Sequence, residues 1–166
     1  MRLELTRRTD YAVRAMLALA RRPGQTLSSV DIAEITNIPV RFVTQVMSHL
    51  VRAGLVQAVI GRSGGYRLSS EPGSVSVLAM VEAVEGDTRR QHCALRGGPC
   101  QGTSPCEIHH VFAGAQEAFI AKLAATSLAT IADAPAVAMP RDGNGAVATS
   151  LVGTIRPVPA ASRGRP

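Results

Sequence analysis

Prolines, glycines and one asparagine divide the first 70 residues into short segments. The positions of these residues limit the possible fold more than any other feature. Proline cannot donate a backbone hydrogen bond inside a helix, and glycine and asparagine readily adopt the left-handed backbone found at helix ends. A first helix, from about Asp10 to Arg21, is predicted to end at Pro23-Gly24. Its inward stripe consists of Ala12, Ala15, Met16 and Leu19.

Two further short helices are predicted between residues 27 and 54. The first covers residues 27–35, with serines that can cap its start and Asn37 at its end. The second starts at Pro39, whose missing amide hydrogen costs nothing in a first helical turn, and ends at Gly54. Its inward stripe is Val43, Val46, Met47 and Leu50, and its outer face carries Arg41, Thr44, Gln45, Ser48, His49 and Arg52. This pair is typical of a helix-turn-helix.

A β-hairpin is predicted directly behind these helices. Residues 55–60 and 66–68 have the composition of strands, and the residues between them form a turn rich in glycine. A hairpin in this position is a wing, and its Arg62 and Arg67 can contact phosphates or a minor groove. The predicted fold is therefore mainly α with a small β-hairpin, a winged helix-turn-helix DNA-binding domain over residues 1–72.

Three outward side chains of the second helix of the pair, Arg41, Thr44 and Gln45, are candidates for reading bases. They lie near the N-terminal end of a recognition helix, the part that enters the major groove. Arginine can pair with guanine and glutamine with adenine. His49 and Arg52, farther along, are expected to contact phosphate or solvent. Residues 1–70 carry ten arginines against four acidic residues, which favours double-stranded DNA as the partner.

Residues 73–133 are predicted to hold a helix, a loop and a long C-terminal dimerisation helix. Ser74 or Ser76 can cap the first of these helices, which ends at Gly86, and residues 87–106 form the loop. A helix of about 25 residues, from Cys106 to Ile131, would extend roughly 40 Å, more than so small a domain can cover, so it is expected to pair in a homodimer. Its apolar face is Val111, Phe112, Ala115, Phe119, Leu123 and Leu128. Residues 134–166 are predicted to be a disordered tail.

The sequence also predicts where the protein acts and what it is not. No uninterrupted apolar stretch reaches about 18 residues, and the first residues lack the apolar run of a secretory signal. A cytoplasmic protein without a membrane partner is therefore expected. No nucleophile, base or phosphate-binding loop is organised for catalysis, so an enzyme is not expected.

The three cysteines, Cys93, Cys100 and Cys106, lie within 14 residues. An odd number in a reducing compartment does not indicate a disulfide framework. Thiolates are ligands that iron and zinc prefer, so a cluster or a metal ion is expected. The spacing is not that of a zinc finger, although His109 could complete a Cys3His zinc site. The alternative is a cluster-free thiol sensor in which a cysteine is oxidised directly.

A site with four ligands needs one more group than the cysteines provide. The nearby candidates are His92, Glu107, His109 and His110. A ligand other than cysteine is more easily displaced or protonated, which suits a cluster whose loss is a signal.

The order of these parts resembles the Rrf2 family of bacterial regulators, with its IscR-like, NsrR-like and RirA-like members, over roughly residues 1–133. The resemblance rests on Met1-Arg2-Leu3, on the stretch TDYAVRAM at residues 9–16, on the wing GRSGGYRL at residues 61–68, and on three cysteines before a long final helix. It implies a homodimer in which the long helices cross, with two recognition helices and wings on a palindromic operator.

The resemblance also implies that the three cysteines ligate a [2Fe-2S] or [4Fe-4S] cluster. The fourth ligand in IscR-like members corresponds to His109, and in NsrR-like members to Asp10 of the partner subunit, which we favour slightly because it would couple the cluster to the DNA-binding unit. A repressor that responds to nitric oxide, redox stress or iron-sulfur status is the function implied. Ile60 stands where many relatives carry a wing arginine, a role that Arg62 can take over.

Overall fold

A computed structural model of the chain describes residues 6–61, 63–88 and 107–134, which form a mainly helical fold with one β-hairpin, as predicted. In chain order the elements are α1 (Arg7–Ala20), α2 (Ser29–Thr36), α3 (Val40–Arg52), β1 (Val56–Val59), β2 (Gly65–Leu68), a 3₁₀ turn (Pro72–Ser74), α4 (Val77–Glu85), α5 (His109–Ala125) and α6 (Leu128–Ala132).

The predicted ends of α2 and α3 agree with the structure, whereas α1 begins at Arg7, about three residues before the predicted start, because the Thr6 side chain caps it. Ser28 and Asp31 form a reciprocal capping box at the start of α2, with hydrogen bonds of 3.2 and 2.8 Å. The side chain of Ser28 and its backbone amide hold the pKa of Asp31 below its ordinary value. Asn37 ends α2 in the left-handed conformation, and Gly54 follows α3 with a φ of 74°.

The predicted inward stripes of α1 and α3 form the centre of the core. All eight apolar side chains named for them are buried: Ala12, Ala15, Met16 and Leu19 from α1, and Val43, Val46, Met47 and Leu50 from α3. Val75, Met80 and Val84, from α4 and the segment before it, belong to the same cluster. The predicted boundary after residue 72 therefore does not separate two cores, and the domain division stays a prediction.

The hairpin is attached to the start of α2. Strands β1 and β2 pair antiparallel, with Val56 opposite Leu68 and Val59 opposite Gly65. Leu27 and Tyr66 exchange two backbone hydrogen bonds, of 3.0 and 2.8 Å. A Cβ atom at Gly65 would lie 2.3 Å from the carbonyl oxygen of Leu27, so only glycine permits this close approach. The wing and the helix-turn-helix are thus joined through their backbones.

The long C-terminal helix predicted from Cys106 to Ile131 is wrong in its length, because the chain forms two helices there. Thr126 is extended and its carbonyl accepts a 2.8 Å hydrogen bond from the amide of Val77. Ser127 pairs with Ser76 and caps α6, which buries Leu128 completely in the core. Capping and core burial together outweigh continuation of α5, which at 17 residues is roughly 26 Å long.

Ser76, one of the two predicted serines, caps α4, and Gly86 ends it. Arg62, most of the predicted loop (residues 89–106) and residues 135–166 of the predicted tail lie outside the described residues. In the part of the chain that is described, no helix is long and apolar enough to cross a membrane.

Candidate nucleic-acid interface and sensory site

The outer face of α3 presents the predicted base-reading residues together. Arg41, Thr44 and Gln45 are all exposed, and their spacing places them on one side of the helix. The Thr44 hydroxyl donates to the carbonyl of Val40 at 3.2 Å and can still accept a hydrogen bond from a ligand. The face is free of acidic side chains, which suits a polyanionic ligand.

The two other candidates on α3 lie farther along the helix. His49 is half-buried and Arg52 is exposed in the last turn. Both follow Arg41, Thr44 and Gln45 toward the C-terminal end, and their contact with phosphate or solvent stays a prediction.

Arg41 is held by an aromatic neighbour that the sequence analysis did not single out. Its guanidinium carbon lies 4.6 Å from the centre of the Phe42 ring. That ring in turn contacts Tyr11 of α1, with ring centres 5.7 Å apart and planes tilted by 43°. The aromatic pair crosses between helices distant in sequence, so no local pattern could have identified it.

Among its described residues the wing carries one arginine and one large exposed apolar side chain. Arg67 on β2 stands opposite Gln57 on β1, and its Nε and Nη2 atoms donate to Gln57 Oε1 at 3.2 and 3.1 Å. Ile60, just past the end of β1, is 98% exposed. Arg62 lies outside the described residues, so its predicted contact with DNA stays a prediction.

Asp10, a candidate cluster ligand, lies in the first turn of α1 and pairs with Arg14. Arg14 Nε donates to Asp10 Oδ1 at 2.9 Å, and Arg14 Nη2 lies 2.7 Å from Asp10 Oδ2. Each carboxylate oxygen keeps a lone pair beyond these contacts. The four-residue spacing of an acid and an arginine on a helix is a sequence signal that would have found this pair.

His109, the rival ligand, is the first residue of α5 and is half-buried, with its ring edge-on to that of His110 at 5.4 Å. Glu107 and His110 are exposed. The cysteines and His92 lie outside the described residues. Within residues 6–61, 63–88 and 107–134, no three His, Cys, Asp or Glu side chains group around a common point, so the ligand set stays a prediction.

The end of α4, which precedes the cysteines in sequence, is hydrogen-bonded to the start of α1. Glu85, the last residue of α4, accepts hydrogen bonds from the hydroxyls of Thr6 and Thr9, the second at 2.6 Å. Arg8 Nη1 donates to the carbonyl of Val84 at 3.2 Å. The start of α1, which carries Asp10, is therefore bonded to the end of α4.

Thr88, which follows α4, is hydrogen-bonded to α5. Gln116 Nε2 donates to the carbonyl of Thr88 at 3.0 Å, and the Thr88 hydroxyl donates to Glu82 at 2.9 Å. Thr88 is the last described residue before the cysteines. Thr88 is thus bonded to both α4 and α5.

A family model for Rrf2, an iron-dependent transcriptional regulator, matches residues 5–134. The chain belongs to the Rrf2 family. Members of this family are DNA-binding transcriptional regulators and not enzymes, as the sequence predicted.

Two curated relatives illustrate the breadth of this Rrf2 chain's similarity. The transcriptional repressor NsrR of Streptomyces coelicolor is 30% identical over 135 residues, which cover 80% of this chain and 90% of that protein. The regulator IscR of Vibrio campbellii is 35% identical over 108 residues, 64% of each protein. Among solved structures, CymR, the global cysteine regulator of B. subtilis, matches with a TM-score of 0.70 and 24% identity, covering 81% of this chain and all of that one. This last match shows the shared fold alone.

Proposed function

We propose that this Rrf2 regulator is a homodimeric repressor that binds a palindromic operator and that an iron-sulfur cluster on Cys93, Cys100 and Cys106 sets its affinity for DNA. The observation that carries the DNA-binding half is the junction of Leu27 with Tyr66, which joins the wing to the helix-turn-helix. Recognition helix and wing are thereby presented as one surface, as simultaneous contact with a major groove and the adjacent backbone requires.

The homodimer is supported by the uncovered face of α5. Val111, Phe112 and Phe119 are 70%, 41% and 43% exposed, and Ala115 between them is exposed as well. A helix that leaves large apolar side chains on one face is typical of an interaction site. A second copy of α5 provides a matching apolar face under twofold symmetry, and the same symmetry places two recognition helices on a palindrome.

The donor set suits an iron-sulfur cluster. Thiolates hold such clusters, and an imidazole can replace a thiolate ligand. Cys93, Cys100 and Cys106 would hold the cluster, with Asp10 of the partner subunit or His109 as the fourth ligand. When bound, the cluster supplies a centre that reacts with nitric oxide or oxidants and can be lost. The similarity to NsrR and IscR supports this assignment over the cluster-free alternative.

The chain's own residues form a short series of contacts between the end of α4, which precedes the cysteines, and the DNA-binding helices. Asp10 follows Thr9 directly, and Thr9 is hydrogen-bonded to Glu85 at the end of α4. A change in the segment after α4 therefore acts on the start of α1 through Glu85. Since α1 packs against α3 in the core, such a change reaches the recognition helix.

The DNA-binding half is tested with duplexes enriched from a random-sequence pool by the anoxically purified protein. The Arg41→Ala variant is expected to lose about 1–3 kcal/mol of discrimination at one base pair of each half-site. Arg21→Ala is the matched control, since it removes the same charge from the C-terminal end of α1, where Arg21 donates to the Ala132 carbonyl at 3.3 Å. Equal losses in the two variants would contradict the assignment.

The sensing half is tested with Cys100→Ser, using Ser104→Ala as a control from the same segment. The first variant is expected to lose iron and sulfide and to change operator affinity, whereas the control keeps both. A Cys100→Ser protein with unchanged cluster content and unchanged affinity would refute the cluster assignment. Asp10→Ala and His109→Ala, compared for cluster stability, identify the fourth ligand.

A further inference from the structure

We infer that Phe42 is a positioning residue for base recognition: its ring holds the Arg41 guanidinium in the orientation in which Arg41 reads the operator. This inference rests on the proposed function, because it concerns how Arg41 discriminates between bases. It assigns a role to a side chain that lies between the core and the DNA face and contacts no base itself.

The stack is the first observation. The Arg41 guanidinium carbon lies 4.6 Å from the Phe42 ring centre, well within the range in which a cation is attracted to an aromatic face. Arg41 is otherwise exposed. Without the ring its long side chain would sample many rotamers, and ordering it on DNA would cost conformational entropy.

The Phe42 ring is itself fixed, which is the second observation. It is half-buried against the core and meets the ring of Tyr11 at 5.7 Å. The amide of Phe42 donates to the carbonyl of Pro39 at 2.8 Å in the first turn of α3. The ring is therefore held from the side of α1 and from its own backbone, and it can serve as a platform.

Stacking leaves the recognition chemistry of the arginine available. A guanidinium uses its flat face for an aromatic ring and its edge for hydrogen bonds, so Arg41 can stack on Phe42 and still present a fork of N–H donors to a guanine edge. The geometry predicts a contribution to specificity, since the pre-ordered fork matches only one base. A lysine at position 41 would keep the charge but would lose the flat face that stacks on the ring and the fork of N–H donors.

The test measures discrimination between single base substitutions in the duplex enriched by the wild-type protein. The position read by Arg41 is the one at which Arg41→Ala loses discrimination. Phe42→Leu, with Phe42→Met as a second ring-free variant, is expected to lose about 2–5-fold in discrimination at that position, the range for an exposed cation–π contact. Discrimination elsewhere and the dependence of affinity on salt stay unchanged. Phe42→Trp keeps a ring and restores the wild-type ratio.

A double-mutant cycle separates positioning from a merely structural role. In the Arg41→Ala background, Phe42→Leu is expected to cause no further loss, because the ring acts through the arginine. Additive losses, or equal losses at every base pair, would overturn the inference while leaving the proposed function intact. Failure of the wild-type protein to enrich any sequence would overturn the proposed function as well, so the two failures are distinguishable.

Discussion

Glu85 accepts a 2.6 Å hydrogen bond from the hydroxyl of Thr9, which joins the last residue of α4 to a fully buried residue in the first turn of α1. The two residues are 76 positions apart in sequence. One flanks the segment that carries the cysteines, and the other precedes Asp10. Under the proposed function, these are the two regions whose coupling would carry the signal.

Replacing the Thr9 hydroxyl by a methyl group tests how much the Thr9–Glu85 hydrogen bond contributes to stability. Thr9→Val is nearly isosteric and removes the donor to Glu85, so we expect the free energy of unfolding to fall by about 1 kcal/mol. Urea denaturation monitored by circular dichroism measures this change. Thr9→Ser keeps the hydroxyl and should lose less. An unchanged unfolding midpoint for Thr9→Val would show that the hydrogen bond does not stabilise the fold.

Gly65 tests the attachment of the wing. In Gly65→Ala the new Cβ would meet the backbone of Leu27, so we expect a loss of about 1–3 kcal/mol in stability and weaker operator binding. Thermal melting and fluorescence anisotropy measure the two effects. Gly73→Ala is the matched control, because nothing lies within 4 Å of a Cβ at that position. Equal behaviour of the two variants would contradict the close approach.

Asp31 predicts a pH dependence at the start of α2. The side chain and backbone amide of Ser28 lower the pKa of Asp31 in the folded chain from its ordinary value of 3.8. The ionised carboxylate therefore stabilises the fold fully above pH 3.8, and this contribution is lost as the pH falls through the pKa of the folded state. Asp31→Asn should therefore be less stable than wild type at neutral pH and converge with it in acid. Urea midpoints across pH measure the difference, with the exposed Glu34→Gln as control. A gap between Asp31→Asn and wild type that does not narrow in acid would contradict the lowered pKa.

Phe119 tests the dimer through α5. Phe119→Glu places a charge on the exposed apolar face, so we expect it to shift the protein toward monomer. Size-exclusion chromatography with light scattering measures the mass. Glu117→Lys changes a charge off that face and should leave the dimer intact. A wild-type monomer, or a dimeric Phe119→Glu, would argue against this interface.

The sequence predicted the fold where local signals decide it. Asn37, Gly54, Ser76 and Gly86 end or cap helices where expected, and the periodic apolar residues of α1 and α3 are buried. These are short-range effects of backbone conformation and side-chain spacing. They need no knowledge of the tertiary structure.

What the sequence could not predict depends on partners distant along the chain. The break between α5 and α6 arises because Thr126 and Leu128 bond to the backbone of Val77 and Val75, and periodicity alone continues the helix through them. The ring contact of Tyr11 with Phe42 and the tie of Thr9 to Glu85 have the same origin. Of the candidate site, the outer face of α3 followed from periodicity, whereas these supporting contacts did not.

Under the proposed function, a cluster on the three cysteines sets the affinity for DNA. The most direct measurement is operator affinity of the anoxically purified protein, with its absorption and Mössbauer spectra, during titration with nitric oxide. We predict a brown protein containing iron and sulfide, whose affinity changes in step with loss of the cluster signal. A colourless, metal-free protein that binds the operator with full affinity would contradict the claim and favour direct oxidation of a cysteine as the signal.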